Sequence, residues 1–414
     1  MLSRWYEHPL TQKLKRPYVH IVFGARQTGK STLIRSVLPE RSLTVDLADP
    51  QTRSHHLGDV GLFTGQCLAL KNKKDPHVVF VDEVQAVPSI FDAVQHLYDK
   101  DKTRWRFVLC GSSARKLRKA GTNLLPGRSF LHRLFPLILC EYSKPSDSPH
   151  GAPMEVLPFS WTSKDEPKKP FPSDSLENRL AFGDLPGVVT AEQTDRADLL
   201  KGYVFSHLQE EIRREGLVRD WGAFIRFLEL AATESGRLVN YAAISQESGI
   251  PNPTIKSHYQ LLEDMFIGFA VPAFSKSSRK IILSTPKFIF FDLGIRHASA
   301  GLTPSLDVVR GAPGNIFEQW VGIELWKRLQ YLGSGRLFHQ RTKDGAEIDY
   351  IIEKSDRLIP LEVKWTDRPS LKDARHLLTF LKENDNAPEG FIVCRVPHPV
   401  QLNKKIKAIP WFAL

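Results

Sequence analysis

An apolar stretch, HIVF, runs straight into Gly24, Ala25, Arg26, Gln27, Thr28, Gly29, Lys30 and Ser31, and Thr32 then opens a helix-like TLIR. This is GxxxxGK[ST] between a strand and a helix, the spacing of a loop that cradles phosphate. Its glycines let backbone amides face phosphate oxygens, and the helix N-terminus adds partial positive charge. Lys30 then reaches the β and γ phosphates, and Ser31 a Mg²⁺ ion. A second apolar run, residues 78–81, ends in Asp82 and Glu83. Asp82 suits the Mg²⁺ shell, and Glu83 suits orienting the attacking water. A third run, residues 107–110, ends in Gly111, Ser112 and Ser113. Either hydroxyl can hydrogen-bond the γ phosphate or the water, or cap a following helix. The order of the three points to ATP hydrolysis with ATP and Mg²⁺ as cofactors.

A second set of reactive side chains lies near the end of the chain. EIDYII and LIPLEVK flank KSDR, so two strands and a hairpin are expected. With Ser355 and Asp356 as a two-residue turn, Asp349 faces Glu362 and Glu347 faces Lys364. Ile348 with Val363, Tyr350 with Leu361, and Ile352 with Ile359 then make an apolar face that belongs against a core. Two carboxylates directly opposite repel unless a cation offsets them. Mg²⁺ suits oxygen ligands, with Lys364 on the same face to assist a metal-bound hydroxide or a phosphate. A salt-bridged sheet surface of Glu362, Lys364 and Glu347 is the alternative.

The elements that must position these groups follow from texture. The 414 residues correspond to about three domains at roughly 150 residues each. Residues 18–140 alternate short apolar strands with longer mixed segments, the rhythm of a parallel α/β domain. An ATPase core over 1–142, a Pro/Ser-rich insertion over 143–175 and a helical segment over 176–236 are expected. A smaller unit over 237–300 and a mixed α/β segment over 312–414 complete the chain. In residues 238–262, one short helix over 241–247, a turn at Ser248 and Gly249, and a second helix over 254–262 read as a helix-turn-helix, with Pro253 in the second helix's first turn. The runs FIGFAVPAF and IILS are the expected strands of a wing. The second helix offers only Lys256, His258 and Gln260 toward bases, a sparse set.

Lys and Arg number 57 against 46 Asp and Glu, a net charge of +11, which favours a polyanionic partner such as DNA. Nine of those cations fall in residues 102–142, against one Glu. Such a run can track a phosphate backbone or form a solvated helix face. Cys67, Cys110, Cys140 and Cys394 have no short spacing, so neither a disulfide framework nor a zinc knuckle is indicated. No apolar run approaches a membrane span, and the N-terminus lacks a signal-peptide core, so a cytoplasmic protein is expected.

The pieces GARQTGKSTL, VFVDEVQ, LCGSSARKL, PGRSFLHRLFPLILCEY, FGDLPG, YQLLEDMFIG, FIFFDLGIR, FEQWVGIEL, EIDYII and PLEVKW together resemble AAA-type ATPases of bacteria and archaea. These are related to the STAND and archaeal-ATPase clade, and their C-terminal domain has no assigned function. The resemblance implies a P-loop ATPase core, a helical lid, a winged-helix unit and a restriction-endonuclease-like end. It implies that Arg128 completes a neighbour's site in a homo-oligomer, a hexameric ring being one form. It also implies that Gly183 to Pro186 touch the adenine. The Asp349, Glu362 and Lys364 arrangement is similar to the PD-(D/E)XK nuclease core, where Glu318 takes the place of the extra acidic residue. Glu-Ile stands before Asp349 where the pattern has Pro-Asp. Three functions follow: an ATP-driven DNA-processing enzyme with a metal-dependent nuclease; an ATP-driven machine that grips or remodels DNA without cutting; and a nucleotide-dependent switch that involves no DNA.

Overall fold

The computed structural model describes residues 2–71, 75–112, 125–143, 167–214, 216, 218, 220–275, 285–341 and 345–414. The chain divides into two compact units, one of residues 1–135, 167–169 and 264–266, the other of 136–166, 170–263 and 267–414.

In the first unit, α1 (Glu7–Leu14) precedes β1 (Val19–Phe23), α2 (Lys30–Val37), β2 (Leu43–Asp46), α3 (Pro50–Gly58), α4 (Leu62–Leu68), β3 (His77–Asp82), α5 (Ile90–Lys100), β4 (Trp105–Gly111) and β5 (Ser129–Arg133). The central strands β1, β3 and β4 are short runs of branched and aromatic residues buried on both faces, as parallel sheets are, while the edge strands β2 and β5 are partly exposed. Their order is β2-β3-β4-β1-β5 with every pair parallel. Amphipathic α5 turns Ile90, Phe91, Val94, Leu97 and Tyr98 inward onto Val79, Val81, Phe107 and Leu109. Register makes the strand ends level: Gly111 lies beside Phe23, and Leu109 is flanked by Ile21 and Val81. Segments leaving β1, β3 and β4 therefore emerge side by side at the carboxyl edge, where open α/β sheets bind ligands.

The second unit begins with short helices, including Leu176–Phe182, capped by Ser175, and Trp221–Thr233, capped by Asp220. Helix Tyr241–Ser248 is capped by Asn240 and stopped by left-handed Gly249, and Asn252–Asp264 follows. β6 (Gly268–Val271) pairs antiparallel with β7 (Lys287–Phe290). The expected wing strand IILS falls on residues 281–284, outside the described residues, and KFIF is what pairs with β6. His258, expected on a reading face, is buried against Phe224 and Phe227. Its helix shows solvent Lys256, Ser257 and Gln260 instead.

The long helix Pro313–Leu332 leads into a mixed six-stranded sheet ordered β12-β13-β11-β10-β9-β8: β8 (Arg336–Arg341), β9 (Glu347–Lys354), β10 (Arg357–Val363), β11 (Gly390–Cys394), β12 (Val400–Gln401) and β13 (Ile406–Pro410). Helix Pro313–Leu332 approaches β9 so closely that a Cβ on Gly322 would lie 2.2 Å from the Tyr350 hydroxyl. Helix Arg375–Glu383 packs Leu377, Phe380 and Leu381 against Ile351, Leu358 and Ile392. The hairpin pairs Tyr350 with Leu361 and Ile352 with Ile359, as the two-residue turn predicts. The face carrying Asp349 and Glu362 is not an open polar surface, because Ile351 and Pro360 lie on it and are buried. No helix among the described residues is long and apolar enough to cross a membrane.

Candidate functional sites in the two units

The loop after β1 contains left-handed backbone at Gln27 (φ 58°) and Gly29 (φ 84°). Such alternation turns successive amides to one side and makes an anion nest. Gly24 has no room for a side chain, since a Cβ there would lie 2.1 Å from the Leu134 carbonyl oxygen. Thr28 is fully buried and its hydroxyl donates to the Ala25 carbonyl at 2.9 Å, closing the loop on itself. Lys30 opens α2 and is buried, its Nζ donating to the Gly24 and Ala25 carbonyls at 2.9 and 2.7 Å. Ser31 is part-buried and Thr32 exposed on the same first turn, while Arg26 is part-buried on the loop.

Asp82 ends β3 with its side chain buried, and its Oδ1 accepts the Glu83 amide at 3.1 Å. Arg35 of α2 approaches Asp82 Oδ2 to 3.7 Å. Glu83 itself is left-handed (φ 53°), which swings it off the strand. Gln85, a residue the motif reading passed over, donates from Nε2 to the Glu83 carboxylate and to Ser112 Oγ at 3.2 Å. It fits there because residue 111 is glycine: a Cβ would lie 2.3 Å from Gln85 Oε1. Ser113 and the basic run Arg115, Lys116, Arg118 and Lys119 lie outside the described residues. The buried thiol of Cys110, beside Lys30 and Asp82, is pushed well above its usual range by burial. The oxygens of Ser31 and Asp82 are the hard donors Mg²⁺ takes, and the nest and Lys30 match a triphosphate.

Arg128 sits just before β5, whose first residue pairs with Val19. It is therefore about 13 Å of strand away from its own loop. Its Nε donates to Asp99 Oδ1 at 2.6 Å.

In the second unit, Gly183 and Asp184 of FGDLPG are buried. Tyr142 donates its hydroxyl to Asp184 Oδ1 at 2.6 Å, and Lys327 lies 3.5 Å from Oδ2. Pro186, part-exposed, begins the four-residue turn of helix Pro186–Val189.

The C-terminal carboxylates do come together. Asp349 and Glu362 are both buried, and Asp349 Oδ2 accepts the Val363 amide at 2.7 Å. Lys364 Nζ lies 2.8 Å from Glu362 Oε2 and 3.9 Å from Asp349 Oδ2. Glu362 Oε1 is buried without a hydrogen-bond partner. Burial, then the Asp349 charge, push Glu362 up to about 8 and Glu318 up to about 7. Lys287 takes up two of the carboxylates. Glu347 pairs with Lys287 at 3.0 Å rather than with Lys364, and Glu318 is held by the same Lys287 at 2.9 Å. Glu318 is thus ion-paired to Lys287 in this structure, and among the described residues no three His, Cys, Asp or Glu side chains converge on one cation position. Lys287, only 3% exposed, was missed in the sequence. The signal was a lysine opening an otherwise apolar strand, since a buried ammonium requires partners. Fully ionised, four carboxylates against two ammonium groups would leave a formal −2, an excess that the raised Glu362 and Glu318 relieve by holding protons. One divalent ion on Asp349 and Glu362 would balance this, and Mg²⁺ is commonly held by one or two carboxylates plus water.

Comparison with known proteins follows this division. Residues 16–143 match an AAA domain. That match supports an AAA-type ATPase family, hence a nucleotide hydrolase that in general binds nucleotide and Mg²⁺. Residues 173–306 and 313–414 match two domains of unknown function, DUF8612 and DUF4143. An uncharacterized protein of Mycobacterium tuberculosis is 24% identical over 366 residues, 87% of this chain and 74% of that protein. One from Haemophilus influenzae is 23% identical over 403 residues, 93% of this chain and 92% of that one. A crystal structure from Vibrio cholerae aligns over 92% of this chain at 11% identity, with a TM-score of 0.17 that is too low to bear on the fold.

Proposed function

We propose that the chain is an ATP-hydrolysing, DNA-processing protein: an oligomeric AAA-type motor coupled to a nuclease-like C-terminal domain. What carries the reading is the meeting of Lys30, Asp82, Glu83 and Ser112 at the carboxyl edge of adjacent parallel strands. Lys30 would hold the β and γ phosphates, Ser31 and Asp82 the Mg²⁺, and the amides from Gly24 to Thr32 the remaining phosphate oxygens. Bound Mg²⁺ supplies charge neutralisation on the transferred phosphoryl group. Glu83, steadied by Gln85, orients the water, and Ser112 contacts the γ phosphate or that water. Arg128, remote from its own loop, suits a neighbour's site once released from Asp99. A winged-helix reading of 237–300, a lid role for Pro186 and a DNA partner accord with the helix-turn-helix order and the basic net charge.

In the C-terminal unit Asp349 and Glu362 would hold a divalent ion and Lys364 assist cleavage. The Lys287 pairs favour a second reading, in which lysines already offset much of the carboxylate charge and the domain grips DNA without cutting. ATP hydrolysis measured alone and with duplex, single-stranded and branched DNA, alongside cleavage of each with Mg²⁺ or Mn²⁺, tests the proposal. DNA-stimulated turnover is expected. Turnover indifferent to every DNA would remove the DNA partner, and cleavage absent under every metal would select the gripping domain.

A further inference from the structure

Arg4 lies well before the phosphate loop in the chain and is buried against it, 6% exposed. Its guanidinium forks. Nη1 donates to the Thr28 carbonyl at 2.5 Å and Nη2 to the Phe135 carbonyl at 2.8 Å. In a trans peptide the carbonyl of one residue and the amide of the next point in opposite directions. Holding the Thr28 carbonyl on the Arg4 side therefore aims the Gly29 amide, where α2 begins, to the other side, into the nest. The loop's first glycine leans on the same place, because Gly24 abuts the Leu134 carbonyl and the Leu134 amide donates to the Phe23 carbonyl at 2.8 Å. Both ends of the loop thus rest on residues 134–135, one directly and the other through Arg4. The segment carrying Arg4 is itself pinned to β5, for the Tyr6 hydroxyl hydrogen-bonds His132 Nδ1 at 2.9 Å.

We propose that Arg4 is a positioning residue of the nucleotide site, and that docking of residues 2–14 and nucleotide binding strengthen each other. The inference rests on reading the loop as a nucleotide site. A planar guanidinium can serve two carbonyls at once in fixed geometry, whereas a lysine there keeps the charge but not the fork. Losing it strands a buried carbonyl and frees the Thr28–Gly29 peptide to turn. Because linkage is reciprocal, nucleotide must also tighten the segment that Arg4 anchors.

The test titrates a fluorescent, non-hydrolysable ATP analogue with Mg²⁺ into the full chain, as wild type, Arg4→Ala, Arg4→Lys and Tyr6→Phe. Amide hydrogen exchange is followed in residues 2–14 and 24–30. Arg4→Ala is expected to raise Kd about tenfold, the scale of one buried charge-assisted hydrogen bond, with Arg4→Lys between it and wild type. Tyr6→Phe, which leaves the fork intact, should shift Kd less than Arg4→Ala. Nucleotide should slow exchange in residues 2–14 of the wild type and much less in Arg4→Ala. If Arg4→Ala does not fold, Arg4→Lys and the wild-type exchange carry the test. Wild-type Kd in Arg4→Ala, or exchange in residues 2–14 that ignores nucleotide, overturns the inference alone. A wild type that binds no nucleotide overturns the ATPase reading and this inference together.

Discussion

At the scale of single residues, the ammonium of Lys30 and the carboxylate of Glu83 divide the work differently. Lys30→Ala should abolish nucleotide binding, whereas Glu83→Gln should bind and fail to turn over, because that acid acts on water rather than phosphate. Equal hydrolysis by Glu83→Gln and wild type in a phosphate-release assay would take Glu83 out of the mechanism. Lys287 makes a separate claim. Its removal leaves Glu318 and Glu347 without their shared cation, so Lys287→Met should cost about 3–5 kcal/mol of stability, the scale of breaking a buried ion pair. Denaturant unfolding of the C-terminal unit within error of wild type would show that water already reaches these groups. Asp349→Ala should end any metal-dependent cleavage while leaving ATP hydrolysis intact, since a metal-binding carboxylate contributes to chemistry more than to backbone contact. Retained cleavage would move the nuclease site elsewhere.

Among elements, the pairing of β1 with β5 places two imidazoles in one buried layer. His20 Nδ1 and His132 Nε2 lie 3.0 Å apart, with Tyr6 beyond. Burial lowers His20 to about 4 and His132 to about 3, so both fold as neutral rings. The unfolded chain takes up these protons below about 6.5 and the folded chain only near 3 to 4. The stability of the first unit is therefore whole above about pH 6.5 and declines as pH falls from there toward 4. His20→Gln should flatten that decline, measured by urea unfolding at several pH values; an unchanged slope would assign the acid sensitivity to other groups. The strands β1, β3 and β4 were legible because each is a short apolar run ending in a residue type with chemistry, and the hairpin because Ser355 and Asp356 set its register. Lys287 was not legible, since its partners Glu318 and Glu347 lie 31 and 60 positions later. Arg4 was hidden for another reason: it binds carbonyls, which every residue has, so its partners leave no trace in residue type. The strand β7 that pairs with β6 was not anticipated, because the nearer apolar run IILS drew the reading.

For the molecule as a whole, Arg128 raises the question of assembly. If it serves a neighbour, Arg128→Ala should bind ATP normally and hydrolyse it poorly. Mixing with Lys30→Ala should then restore part of the turnover, because some interfaces pair an intact loop with an intact arginine. A monomer at working concentration with undiminished activity in Arg128→Ala would leave the residue as Asp99's ion-pair partner alone. The basic balance of the sequence adds that any DNA affinity should fall steeply with salt.

The first unit is also discontinuous along the chain. Phe266 packs against its core and receives the Arg133 guanidinium over its ring at 5.9 Å, though 264–266 are separated from 135 by most of the second unit's helices. A ribosome adding about 5–20 residues per second needs on the order of ten seconds to travel that far. A nascent sheet of this unit must wait through that interval without the Phe266 ring that packs against its core. A fragment cut to the matched span of 16–143 would lack that ring permanently, along with Arg4 and α1, and would expose the apolar surface on which Phe266 packs.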